Sequence, residues 1–223
     1  RAAFPHDSIT LLTTPPFVEL AQAAPWFDDV TTDRRPSLAH PVALLRLSRA
    51  LRGFDRIFDL QTSGRSRTYF RLAGRPRNWS GISDGCCHPH ANPSRNEMHT
   101  LTRLEDQLCA AGVQPIPREV PDWLKGHGPE ISGRSVVLIP GAAPHRPQKR
   151  WPVTRFSEIA QAVAARGLTP VIVGCAAEKP LAEQILQDCP SALDLTGQTS
   201  LIELAGVLHR ADLVIGNDPR PIH

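Results

Sequence analysis

The chain lacks most of what would mark a membrane-spanning, disulfide-built or nucleic-acid-coating protein. Among its 223 residues no apolar run approaches the ~20 residues that a membrane-spanning helix needs. Val42–Leu51 comes nearest and is broken by Arg46 and Arg49. No signal peptide is visible. Cysteine is scarce and odd in number: five residues without paired spacing exclude a disulfide framework and make a reducing compartment the expectation. Lysine is nearly absent, since all but Lys125, Lys149 and Lys179 of the 25 basic residues are arginine. Against 22 acidic residues this leaves a net charge of +3, too small for a nucleic-acid coat. Neither Gly-x-x-x-x-Gly-Lys nor Gly-x-Gly-x-x-Gly occurs, which excludes the Walker loop and the dinucleotide fingerprint.

What is present is a globular composition, 41% apolar, with 22 prolines that favour ordered loops over long helices. The second half reads cleanly. Ser135–Ile139, Thr169–Val173, Ala192–Leu195 and Asp212–Ile215 have strand character. Thr154–Arg166, Glu178–Asp188 and Ser200–Arg210 have helix character, the last opened by a Ser200/Glu203 capping box. That alternation predicts βαβ units and a parallel sheet. The first half alternates less cleanly: strands at Ser8–Thr14 and Arg56–Leu60, helices at Phe17–Ala23, Pro41–Leu51 and Met98–Ala111, and a long irregular loop at Gly74–Asn96. Pro115–Gly133 holds four prolines and three glycines and predicts a boundary between two α/β lobes. The N-terminal lobe is assigned to residues 1–125 and the C-terminal lobe to 134–223. Because the chain opens on Arg1 rather than Met and stops at His223 just after a strand, the expectation is a fragment lacking both ends.

Ligands in open parallel sheets gather beyond the carboxyl ends of the strands. The loop after Ile139, residues 140–152, carries His145, Arg146, Lys149 and Arg150 and no acid, and it feeds a helix N-terminus. A basic loop against unpaired helical N–H groups suits a phosphate, and a proline-stiffened surface loop explains the same spacing equally well. Glu178 follows the next strand and suits a ribose diol, or simply a helix first turn. Thr199 suits a base or ribose, or simple capping. Asn217–Asp218 reads as a turn, with His223 five residues beyond Asp218. In the first lobe no acid lies between Asp59 and Asp84, while Arg65, Arg67, Arg71, Arg75 and Arg77 do. That run suits an anionic acceptor, a nucleic acid or a solvated helix face. Cys86-Cys87-His88-Pro89-His90 lacks metal-ligand cysteine spacing, which argues against zinc. Cys109, Cys175 and Cys189 read as small core residues.

Taken together, "VVLIPGAA", "KRWPVTRFSEIA", "VIVGCAAEKPLAEQI", "LDLTGQTSLIELAGVLHRADLVIGND" and the terminal "PIH" resemble glycosyltransferase family 9, the bacterial heptosyltransferases of lipopolysaccharide core assembly. "AAFPHDSITLLTT", "FDRIFDLQTSGRSR" and "RLEDQLCAAGV" extend the resemblance over nearly the whole chain. The resemblance implies the two-lobed GT-B fold of Rossmann-like units, here truncated at both termini. It implies inverting transfer from an ADP-sugar, best known as ADP-heptose, to a lipid A–linked core oligosaccharide, with no metal or other cofactor and no nucleic-acid partner. It further implies a cytoplasmic enzyme, with peripheral association at the inner face of the inner membrane.

By position, the resemblance assigns Lys149 to the donor phosphate and Glu178 to the nucleoside ribose. Asp218 and His223 fall near the sugar and diphosphate, and Arg65 and, more loosely, Arg103 on the acceptor side. Thr199 joins the donor-side candidates. The family's catalytic aspartate, in a Gly-Asp pair after the first strand, is expected before Arg1, so the fragment alone is expected to be inactive. Pro219 and Arg220 depart from the family's Ser/Thr and Gly, removing a hydroxyl and an N–H donor and crowding a close backbone approach. A non-catalytic sugar-nucleotide-binding relative and a nucleotide-sugar epimerase are the alternatives, with a polyanion-binding module behind them.

Overall fold

The structure is a computed structural model that describes all residues except 38, 62–63, 115–121, 143–149 and 218–223. The chain divides into two units, Arg1–Glu119 and Val120–His223. Every strand pairing described in either unit is parallel.

The second unit is built on one strand, Ser135–Ile139 (β6 in chain order), whose five residues are all buried. A parallel strand covered on both faces reads as a continuous apolar run, and SVVLI is one. Alternation sends its side chains to opposite layers. Val136 and Leu138 pack with Phe156, Ala160, Ile172 and Ile185. Val137 and Ile139 pack with Val171, Val173, Leu195 and Val207. Helices Val153–Ala164 (α5) and Lys179–Asp188 (α6) supply the first layer, and Leu201–Arg210 (α7) supplies the second. Thr169–Ile172 (β7) and Leu213–Gly216 (β9) flank β6, with Leu193–Asp194 (β8) outside β7, giving the order β8-β7-β6-β9. The chain steps from β6 outward to β7 and β8, then returns to β9 on the other side, so the topological switch point lies between β6 and β9. The capping box predicted for α7 forms: Glu203 N donates to Ser200 Oγ at 3.3 Å and Ser200 N to Glu203 Oε2 at 2.8 Å. Leu213 on β9 is 53% exposed, so part of this strand's apolar surface has no cover among the described residues.

The first unit holds the ladder Thr10–Thr13 (β1) with Asp29–Thr32 (β2), and the ladder Ile57–Phe58 (β3), Trp79–Gly81 (β4), His88–Pro89 (β5). Its helices are Val18–Ala23 (α1), Pro41–Ala50 (α2), Gly64–Leu72 (α3) and Thr100–Ala110 (α4). Here the sequence reading needs correction. Residues 74–96 are not one irregular loop, because β4 and β5 run through them. Trp79 is 1% exposed and meets Phe70 edge-on at 5.3 Å, so burial of one large ring anchors a three-residue strand too short to show alternation. Strand β2 lies where no strand was read. All five cysteines are free thiols, but Cys109 and Cys175 are exposed rather than core residues. Cys109 lies near the end of α4 away from its buried Gln107, and Cys175 occupies the turn before α6. Only Cys189 of the three is buried.

Candidate functional site

The carboxyl ends of β6 and β9 meet at the switch point, and Asn217 is the knot. Immediately after β9 and buried, it donates through Nδ2 to the carbonyls of Pro140 (2.7 Å) and Gly141 (3.3 Å), and its Oδ1 accepts from Trp151 N at 2.7 Å. One side chain thus ties both ends of the basic 140–152 loop to the neighbouring strand. Arg150 reinforces the tie by donating to Ala142 O at 3.2 Å. Trp151 meets Phe156 edge-on at 5.5 Å, which sets the chain's entry into α5. The N-cap of α5 is Pro152, with no side-chain cap and no acid in the first turn. Its first N–H groups therefore keep their partial positive charge for another acceptor.

Glu178 lies in the turn Ala176–Glu178 ahead of α6 and is half-buried. Its Oε2 accepts from Cys175 N at 2.8 Å as part of a capping box. The same carboxylate fills space that two glycines leave open. A Cβ on Gly141 would fall 1.7 Å from Glu178 Oε1, and one on Gly174 would fall 2.6 Å from Oε2. Capping and ligand-site readings of Glu178 are therefore not alternatives. The cap holds the carboxylate across the ends of β6 and β7, with Oε1 against Gly141. Thr199 is half-buried in the turn before α7, where Ser200, not Thr199, is the capping residue. Lys179 pairs with Asp194 at the end of β8. Burial works to raise the Asp194 carboxyl, but the contacts with Lys179 and Thr196 outweigh it and hold the group below the usual carboxylate range. Lys149, Asp218 and His223 lie outside the described residues, as do His145, Arg146, Pro219 and Arg220.

In the first unit Arg65 sits on α3 with its guanidinium 6.0 Å over the ring of Tyr69. The Tyr69 hydroxyl donates to the buried Asp33 carboxylate. Desolvation, then that hydrogen bond, push its pKa up to about 12. A cavity of about 230 Å³ lies here, lined by Pro36, Leu44, Leu47, Arg65, Thr68 and Tyr69. Arg103 is half-buried on α4. Two further groups stand at strand ends of the same unit: Asp59, to which the sequence reading assigned no role, and His90, which it weighed only within a zinc-like cluster. Asp59 follows β3, and burial pushes its carboxyl up. His90 follows β5 and is held by Asp106 through Nε2···Oδ2 at 2.7 Å. His90 is thereby committed to a carboxylate, and Cys86 is buried while Cys87 is exposed. No group of three or more His, Cys, Asp or Glu among the described residues is placed to hold a metal ion.

A family model described as glycosyltransferase family 9 (heptosyltransferase) matches residues 102–223, more than half of the chain. The chain belongs to glycosyltransferase family 9. Among curated relatives, lipooligosaccharide heptosyltransferase 2 of Haemophilus influenzae is 26% identical over 132 residues, covering 57% of this chain and 32% of that protein. Its namesake in Haemophilus ducreyi is 22% identical over 178 residues, covering 70% of this chain and 51% of that one. The match thus spans about a third to a half of those relatives' length. Among solved structures, E. coli ADP-heptose lipopolysaccharide heptosyltransferase II aligns with a TM-score of 0.72 at 18% identity, covering 100% of this chain and 73% of that one. A family 9 glycosyl transferase from Veillonella parvula aligns at 0.76 and 21%, covering 98% and 68%. An E. coli heptosyltransferase solved with ADP-2-deoxy-2-fluoro heptose aligns at 0.74 and 18%, covering 98% and 75%. At these identities the likeness establishes the fold. This family 9 chain has the α/β, parallel-sheet units of the GT-B heptosyltransferases.

Proposed function

We propose that this family 9 chain belongs to an inverting glycosyltransferase that moves a sugar, heptose or a close relative, from an ADP-sugar to a lipopolysaccharide inner-core acceptor. The observation that carries the reading is the Glu178 carboxylate. It is capped in place across the ends of β6 and β7 and shares Gly141 with the loop that Asn217 ties to the switch point. An acid there accepts from the ribose hydroxyls, and the uncapped N-terminus of α5 faces the diphosphate. Lys149, Thr199, Asp218 and His223 complete the donor side in this reading, and Arg65 and Arg103 the acceptor side.

The chemistry follows from charge. The acceptor hydroxyl attacks the anomeric carbon, the bond from that carbon to the diphosphate oxygen breaks, and the hydroxyl proton passes to a general base that no residue of this chain is assigned to supply. Negative charge grows on the departing ADP. Fixed N–H dipoles and Lys149 stabilise it without a metal ion. The acceptor is lipid-linked, so the reaction takes place at a membrane surface on the cytoplasmic side, with the protein bound peripherally. Among the described residues no helix is long and apolar enough to cross a membrane. Exposed Val42 and Leu45 beside Arg46 and Arg49 on α2 suit an anionic lipid surface.

Calorimetric titration with ADP tests the donor assignment. Glu178→Gln and Lys149→Ala should each weaken ADP binding by about tenfold, the loss of roughly one charge-assisted hydrogen bond. A wild-type chain that does not bind ADP, or variants that bind it unchanged, overturns the assignment.

A further inference from the structure

Helix α4 places Arg103 and Asp106 three residues apart, on one face. The Asp106 carboxylate is already engaged: its Oδ2 accepts from Asn92 Nδ2 at 2.9 Å and meets His90 Nε2 at 2.7 Å. The other ring nitrogen of His90 is engaged too, because Arg95 Nε donates to Nδ1 at 3.4 Å. A guanidinium only donates, so Nδ1 is the acceptor and the ring proton sits on Nε2, donated to Asp106. His90, whose side chain is 1% exposed, is therefore a relay that carries the fixed position of α4 to Arg95.

The two arginines that flank this arrangement, Arg95 on His90 and Arg103 one turn from Asp106, are left incomplete. Arg95 Nη2 and Arg103 Nε are both buried, and neither has a hydrogen-bond partner among the described residues. Arg95 also donates from Nη1 to Asn96 Oδ1, at the same 3.4 Å. No ion pair with either arginine occurs among the described residues. Burial, and then repulsion from Arg103, hold the Arg95 guanidinium below its usual range. Two like charges with unpaired buried donors are a costly arrangement for a fold to keep, and a shared oxyanion would satisfy both. The pair also stands next to the residue that follows β5, at the end of a parallel sheet where ligands gather.

We infer that Arg95 and Arg103 form an oxyanion-binding pair, with Arg95 a ligand positioned by the His90–Asp106 relay, and that the pair holds a phosphate or carboxylate group of the acceptor. The identity of the carrier rests on the acceptor-side reading of Arg103; the anion site itself does not.

The test is thermal unfolding of the chain in sodium phosphate and in sodium acetate, each against sodium chloride at matched ionic strength, with ADP titrations run in parallel. Wild-type protein should melt higher in at least one of the two oxyanions. A phosphate-only gain points to a phosphorylated acceptor group, and an acetate-only gain to a carboxylate. Arg95→Gln and Arg103→Gln should each weaken that anion's binding at least about tenfold, the loss of a charge-assisted bond. In chloride alone each should melt at or above wild type, because like-charge repulsion has been relieved. His90→Leu should lose the anion response while ADP still binds, and His90→Gln, which offers both a donor and an acceptor, should restore most of it. A wild type indifferent to both anions, glutamine variants that respond as wild type does, or glutamine variants that melt lower in chloride would overturn the proposal. Because the anion response is read without donor or transfer, its failure and a failure of ADP binding are separate results.

Discussion

Substituting Gly141 with alanine isolates what the second unit does with Glu178. The backbone at Gly141 is not in the left-handed region, so the substitution adds no main-chain strain of its own. The new Cβ would stand 1.7 Å from Glu178 Oε1 and 2.1 Å from its Cδ, so the carboxylate must leave. Leaving breaks the 2.8 Å bond from Cys175 N. Loss of a cap of this kind costs about 1 kcal/mol, which in a unit of this size lowers the melting temperature by roughly 4–8 °C. Donor binding should suffer more. A ribose hydroxyl bonded to a carboxylate contributes about 1.5–3 kcal/mol, so ADP affinity should fall about ten- to a hundredfold. Calorimetry on Gly141→Ala, Glu178→Ala and the double variant checks the reasoning. Since alanine at 141 acts only by evicting Glu178, it should add little on top of Glu178→Ala. Unchanged ADP affinity in Gly141→Ala, or penalties that simply add in the double variant, would refute it.

Two further outcomes follow from the same kind of geometry. Gly206 on α7 lies against backbone rather than a movable side chain: a Cβ there would fall 1.9 Å from His127 O. Gly206→Ala should therefore cost at least about 1–3 kcal/mol of overpacking, and a melting temperature equal to wild type would contradict the packing described here. Burial raises the Asp59 carboxyl pKa in the folded state, so the unfolded chain gives up that proton more readily. Ionised Asp59 thus destabilises the fold above the unfolded pKa near ~4 and ceases to do so as pH falls below it. Asp59→Asn should melt higher than wild type at neutral pH, with the gap closing in acid; a gap that widens in acid would reverse the sign.

The second unit was legible in the sequence because its signals are long and local. SVVLI is a five-residue apolar run, its helices run ten to twelve residues, and Ser200 and Glu203 sit at capping spacing. The first unit's strands are two to four residues long, too short for period-two alternation to register. Trp79 could have flagged β4, but its neighbours Ser80 and Gly81 look like loop. Asn217 was read as half of a turn because its partners lie 66 to 77 residues away. Only the pairing of β6 with β9 brings them together. Glu178 was assigned two competing roles because spacing shows the cap and not Gly141, the residue against which its other oxygen rests.

The two candidate sites are built on opposite principles, and the difference has a sign. Glu178 is satisfied by the fold: a backbone N–H holds one oxygen, and two glycines make room for the carboxylate. Disturbing it should lower stability and donor binding together. Arg95 and Arg103 are left unsatisfied by the fold, each with a buried nitrogen that no described residue accepts from. Neutralising either should raise stability or leave it unchanged while lowering anion binding, the pattern expected where a fold keeps strain for a ligand to relieve. A group whose loss harms the empty protein is doing structural work whatever else it does. A group whose loss helps the empty protein is most simply explained by something that binds.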